Sequence, residues 1–166
     1  IRAQIGAPAN ELILTNQLWS ITEFTVPKEA KSLENLAYLP NLTELDISGV
    51  QIESLSFLSS LLKLDTLNLS GSTFNQEEMS IIAALPALKN LSLADCNLST
   101  IDNLENAHSL TALDLSSNTI RNLDVLKTMP NLKQLNLQQN AVNSLEILAS
   151  LKNLEVLNVS FNAITS

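Results

Sequence analysis

Apolar residues recur along this chain on a period of twenty-two residues, stretched once by two. A core of three apolar positions, spaced three and then two apart and followed five residues later by a fourth, runs Leu42, Leu45, Ile47, Ile52. It returns at Leu64, Leu67, Leu69, Phe74, at Leu88, Leu91, Leu93, Leu98 and at Leu110, Leu113, Leu115, Ile120. Leu132, Leu135, Leu137, Val142 and Leu154, Leu157, Val159, Ile164 complete six copies in register. Within each copy the polarity alternates. Over residues 110–116, Leu113 and Leu115 point inward while Ala112, Asp114 and Ser116 point out, the period of a half-buried strand. Six such strands stacked in parallel about 4.8 Å apart predict a sheet about 24 Å across.

Between strands the apolar spacing changes to three: Leu55, Leu58, Leu61, then Leu123, Leu126, Met129, then Leu145, Leu148, Leu151. Side chains three apart align on one side of a 3₁₀ turn, so the return leg is narrow and the curvature modest. The copy beginning at Leu64 carries the two extra residues. Its leg, Asn75-Gln76-Glu77-Glu78 followed by Met79, Ile82 and Leu85, predicts an α-helix with Asn75 as N-cap and Glu78 completing a capping box. Six copies of L-x-x-L-x-L-x-x-N-x-L form the leucine-rich repeat signature. They predict an α/β right-handed solenoid, with a parallel concave β-sheet and a short 3₁₀ or helical convex side. Such a scaffold suits binding rather than catalysis.

The ninth position is uneven: Val50, Ser72 and Cys96 precede Asn118, Asn140 and Asn162. A side chain turned inward there bonds the backbone of the turning loop, whose buried amides need partners. Cys96 substitutes weakly and Val50 not at all, and Cys96 is expected to be a buried structural thiol.

Residues 1–39 are expected to hold a helical cap and a degenerate first repeat, and residues 40–166 six repeats. Ile21, Phe24 and Val26 mark the degenerate strand and Leu33, Leu36 and Leu39 its return leg, with one residue missing near Pro27. The stretch Ile1-Arg2-Ala3-Gln4-Ile5-Gly6 looks like the last turns of a helix stopped by glycine, before Ala7-Pro8. Trp19 is expected to pack into the cap or core. The start at Ile1 points to a mature or excised fragment. The stop at Ser166, with no polar cap, points to truncation, leaving an open repeat edge for a following domain or another subunit.

Charge narrows the partners. Nine Lys+Arg face 17 Asp+Glu, a formal −8, which lacks the cationic surface that nucleic acid or a strongly anionic membrane requires. A protein partner, basic by complementarity, is allowed. No apolar run is long enough to span a bilayer, so membrane insertion is not expected. One cysteine allows no internal disulfide, which suits a cytosolic protein or a bacterial exported one alike.

The period, the return-leg leucines and the phrases Leu39-Pro40-Asn41-Leu42-Thr43-Glu44-Leu45-Asp46-Ile47-Ser48 and Leu110-Thr111-Ala112-Leu113-Asp114-Leu115-Ser116-Ser117-Asn118 resemble the internalin-like bacterial repeats and the related SDS22-like class. The internalin resemblance implies a secreted or surface domain that binds other proteins. The SDS22-like alternative implies an intracellular scaffold regulating an enzyme such as a phosphatase. A third alternative makes the repeats the substrate-recognition part of a larger enzyme or effector.

Candidate recognition residues are the outward strand positions. Asp46, Asn68, Ser92, Asp114, Asn136 and Asn158 form one column, though Asp or Asn followed by Leu and Ser is also how such repeats are built. A more individual column holds Glu44, Thr66, Asn90, Ala112, Gln134 and Val156, of which Glu44, Thr66, Asn90 and Gln134 are taken as binding candidates. Phe161 is the one aromatic candidate. Chemistry has little support: His108 occupies a variable surface slot, no Ser or Cys has a plausible His partner, and no metal spacing or phosphate loop is present. Asp46 and Asp114 stand about 14 Å apart by strand spacing, too far for paired acid–base work. No enzyme activity and no cofactor are expected.

Overall fold

The computed structural model describes residues 1, 14–30 and 32–165. The helical cap expected over Ile1–Gly6 lies, Ile1 apart, outside these residues. The alternating segments form β1 (Glu23–Thr25), β2 (Glu44–Asp46), β3 (Thr66–Asn68), β4 (Asn90–Ser92), β5 (Ala112–Asp114), β6 (Gln134–Asn136) and β7 (Val156–Asn158). They make one seven-stranded parallel sheet in sequence order. Register is set by the inward residues: Phe24, Leu45, Leu67, Leu91, Leu113, Leu135 and Leu157 pair in one row. A one-residue slip would turn each of these side chains outward, so burial fixes the pairing.

The three-spaced leucines form 3₁₀ turns at Glu34–Tyr38, Ser56–Ser60, Asp102–Leu104, Asp124–Thr128 and Glu146–Ser150. Leu36, Leu58, Leu104 and Leu126 point from these turns onto the inward strand residues, in one continuous core. Each fully buried leucine contributes about 1.5–3 kcal/mol; inner layers are covered by their neighbours, whereas Leu157 in the last is 40% exposed.

The degenerate segment is a true strand. Glu23 pairs with Glu44, twenty-one residues on, whereas Glu44 pairs with Thr66, twenty-two on. The 3₁₀ turns at Glu34–Tyr38 and Ser56–Ser60 are again twenty-two apart. The missing residue is therefore absorbed between Val26 and Leu33, where Val26 N–H already donates to Asp46 C=O at 2.8 Å.

Two sequence expectations need correction. The stretched repeat forms a 3₁₀ turn, Gln76–Glu78, running into a short helix, Met79–Ala83. Asn75 caps it, accepting from Glu77 N–H at 3.1 Å. Glu78, however, makes no capping box. Its carboxylate reaches the preceding repeat, accepting from Leu55 N–H at 2.6 Å and Ser54 Oγ–H at 3.2 Å. Tertiary partners outbid the local one. Trp19 is the second correction: it ends α1 (Thr15–Trp19) and is 57% exposed rather than packed in the core. Its carbonyl is held by Asn41 Nδ2–H at 2.8 Å.

Two ladders tie the repeats. On the exit side of the strands, Asn118 Oδ1 accepts from Cys96 and Leu98 N–H at 3.1 and 2.9 Å. Its Nδ2–H donates to Leu93 and Leu115 C=O at 2.8 and 2.9 Å. Asn140 and Asn162 repeat it with one amide each, Ile120 and Val142 N–H, and donate to Leu115 and Leu137 C=O. Ser72 performs part of it, accepting from Val50 N–H at 3.2 Å and donating to Ile47 C=O at 2.6 Å. The Cys96 thiol donates to Leu69 C=O at 3.1 Å. Burial pushes that thiol up to about 11, against weaker opposition from the backbone of Ser72 and Gly71. The entry-side ladder was not evident in the sequence: Asn41, Ser109, Asn131 and Asn153 donate to Trp19, Leu88, His108 and Pro130 carbonyls.

The chain turns at the residue before each ninth position. Gly49, Gly71, Asp95, Ser117, Gln139 and Phe161 all have φ between 55° and 68°. Only glycine takes that left-handed conformation without steric cost.

Candidate functional site

Two outward columns pave the concave face. Registered pairing sets Glu23, Glu44, Thr66, Asn90, Ala112, Gln134 and Val156 in one row. Thr25, Asp46, Asn68, Ser92, Asp114, Asn136 and Asn158 form the other.

The second row has structural work. Oδ1 of Asp46, Asn68, Asp114, Asn136 and Asn158 accepts from the N–H two residues on, at 2.9–3.1 Å. These Asx turns aim the chain out of each strand. Ser92 instead shares a hydrogen bond with Ser70 Oγ at 2.7 Å. Aspartate and asparagine perform the turn equally, so the choice between them is free to set charge.

The first row carries the individuality. Glu44, Gln134 and Val156 are exposed, while Thr66, Asn90 and Ala112 are half-buried. Asn90 Nδ2–H donates to Thr66 Oγ1 at 3.0 Å and Asp65 Oδ1 at 3.1 Å. At the flank, Lys89 Nζ meets Asp65 at 2.7 Å and Lys133 Nζ meets Glu155 at 3.2 Å. The Lys89 hydrogen bond holds the Asp65 carboxyl below its ordinary range, burial opposing it.

A shallow depression of about 400 Å³ lies across β3 to β7. Thr66, Asn68, Asn90, Ser92, Asp114, Gln134, Asn136 and Asn158, all sequence-derived candidates, line it. Glu44 and Asp46 stand beside it on β2. Ala112 and Val156, the two apolar members of the variable column, also line it. Phe161 lies off the face, on the turn after β7, and is 78% exposed.

Comparison with known proteins follows this geometry. Leucine Rich repeat sequence families match residues 130–166, as two copies, and residues 106–126. Internalin C2 of Listeria monocytogenes superposes with a TM-score of 0.88 at 29% identity, over 99% of this chain and 73% of its own. The chain carries leucine-rich repeats and is similar to this internalin in fold. A second internalin-like relative, the internalin inlF of the same organism, gives 0.81 at 27% identity, over 99% of this chain and 55% of its own. A leucine-rich repeat protein of Leptospira interrogans, at 24% identity and a TM-score of 0.65, shares the fold over 81% of this chain and 41% of its own. No curated protein sequence matches.

Among the described residues of this internalin-like chain, no three His, Cys, Asp or Glu side chains converge to hold a metal. Nor is any helix among them long and apolar enough to cross a membrane. His108 is exposed, its Nδ1 set 2.8 Å from Thr128 C=O, so the ring braces adjacent repeats.

Proposed function

We propose that this internalin-like chain is a protein-recognition domain whose concave sheet face engages a partner rich in lysine or arginine. One observation carries this reading. The two outward strand columns hold Glu23, Glu44, Asp46 and Asp114, and no lysine or arginine. The flanking bases Lys89 and Lys133 are each paired with a carboxylate. A field of one sign over a rigid sheet speeds encounter with a cationic surface and sets its orientation. Similarity to two Listeria monocytogenes internalins supports a bacterial exported or surface protein as the parent.

The test is affinity capture on the immobilised chain, wild type beside Glu44→Lys/Asp46→Asn/Asp114→Asn. The asparagines keep the Asx turns, so the variant stays folded. Capture that weakens in the variant and falls with rising salt supports the reading. Salt-insensitive capture, equal for both chains, moves the site off this face.

A further inference from the structure

The concave face is not uniform along its length, and the order of its parts has consequences for the partner. At one end stand Glu44 and Asp46 on β2, with Glu23 of β1 registered beside Glu44. In the middle, several polar groups on and beside β3 and β4 already have partners: Asn90 Nδ2–H donates to Thr66 Oγ1 and Asp65 Oδ1, Ser92 shares a hydrogen bond with Ser70, and Asn68 Oδ1 accepts from Ser70. Toward the other end Ala112 and Val156 flank Gln134, and Val156 is 55% exposed. Val156 faces the concave side by strand alternation, as Glu44 and Gln134 do.

We infer, building on the concave-face reading above, that this surface recognises a protein segment at two separated points. A lysine or arginine sits over Glu44 and Asp46, and an aliphatic side chain enters the depression beside Ala112 and Val156. The stretch between them passes over this polar middle, where a ligand gains less because several of the donors and acceptors already have partners. Strand spacing fixes the separation. From β2 to β5 is about 14 Å and from β2 to β7 about 24 Å. An extended segment covers that range with roughly four to seven residues. Both points are needed together because each alone is small. The second, once the first is held, acts at the high local concentration that the connecting chain imposes.

The experiment uses the full 166-residue chain and ¹H–¹⁵N amide shifts on titration with a capped synthetic peptide. The probe carries two lysines, five glycine/serine residues and Leu-Val, made in both chain directions because the sheet fixes the spacing and not the polarity. Three controls replace the lysines by glutamate, replace Leu-Val by serines, or delete the spacer. The expected result is that one direction of the probe shifts the Glu44 and Asp46 amides together with those of Ala112 and Val156. Each control then binds at least tenfold more weakly. In the variant Glu44→Gln/Asp46→Asn the lysine control loses its penalty, and in Val156→Ser the Leu-Val control loses its penalty. Concave shifts indifferent to all three controls overturn the two-point inference and leave the concave reading standing. Shifts confined to the convex side or the lateral edges overturn both. Absence of shifts with either probe direction also overturns the two-point inference.

Discussion

The Glu78 carboxylate accepts a hydrogen bond from Leu55 N–H at 2.6 Å, across twenty-three residues of chain. The bond joins the one irregular return leg to the regular leg before it. Leu55 is fully buried, so its amide has little water to fall back on. Glu78→Ala is expected to destabilise the protein by about 1–3 kcal/mol, and Glu78→Gln by less, since the amide oxygen still accepts. Urea unfolding of the two variants checks this. Equal losses would mean that the carboxylate's charge, not its acceptor position, matters.

Cys96 is expected to resist thiol reagents in the folded state. Burial raises its thiol to about 11 from 9.0, so the reactive thiolate is scarce at neutral pH. The pH dependence follows in sign. Above about 9 the unfolded chain releases this proton while the folded chain keeps it, so the contribution to stability is intact below that pH. It is lost as pH rises toward 11. Labelling kinetics with a disulfide reagent at pH 7, with and without denaturant, check the first point. Comparison of wild type with Cys96→Ser in alkaline unfolding checks the second, the serine variant lacking the extra loss.

Asp46→Asn and Asp114→Asn are expected to leave stability within about 0.5 kcal/mol, because either side chain accepts from the following turn. Asp114→Ala should cost about 1 kcal/mol, having orphaned Ser116 N–H. Thermal melts separate the two kinds of change. A large loss in the asparagine variants would show the charge itself to be structural.

The left-handed turn positions differ in cost. Gly71→Ala is expected to lose about 1 kcal/mol or more, and Gln139→Gly to gain up to about 1 kcal/mol, from the same steric term. Gly71 has φ 68° and Gln139 φ 58°. Chemical denaturation of both variants checks the pair; matching signs would contradict it.

The residues that repeat were legible and those that answer a distant partner were not. Leu45, Leu67 and Leu113 declare their direction through alternation, and the three-spacing of Leu123, Leu126 and Met129 foretells the turn at Asp124–Thr128. Glu78 satisfied the local rule for a capping box, yet a buried amide one repeat away outcompeted its own helix. The entry-side ladder escaped notice because Asn41, Ser109 and Asn131 differ in type while filling the same role. Trp19 is 57% exposed, since aromatic size alone does not fix burial. On the concave face, polarity drew attention to Asn68 and Asn136, whose oxygens serve the backbone, and away from Ala112 and Val156, which hold none.

The asparagine ladder also gives the solenoid a direction. Asn118 satisfies the amides of Cys96 and Leu98 in the repeat before it, and Asn140 that of Ile120. Each repeat thus depends on its successor for acceptors. Within this ladder, peeling from the C-terminal side strips the preceding repeat's amides of their acceptor, while peeling from the other side takes Leu93 C=O from Asn118 Nδ2–H, which keeps Leu115 C=O. Under a pulling force, the rod should unzip more readily from one end than from the other.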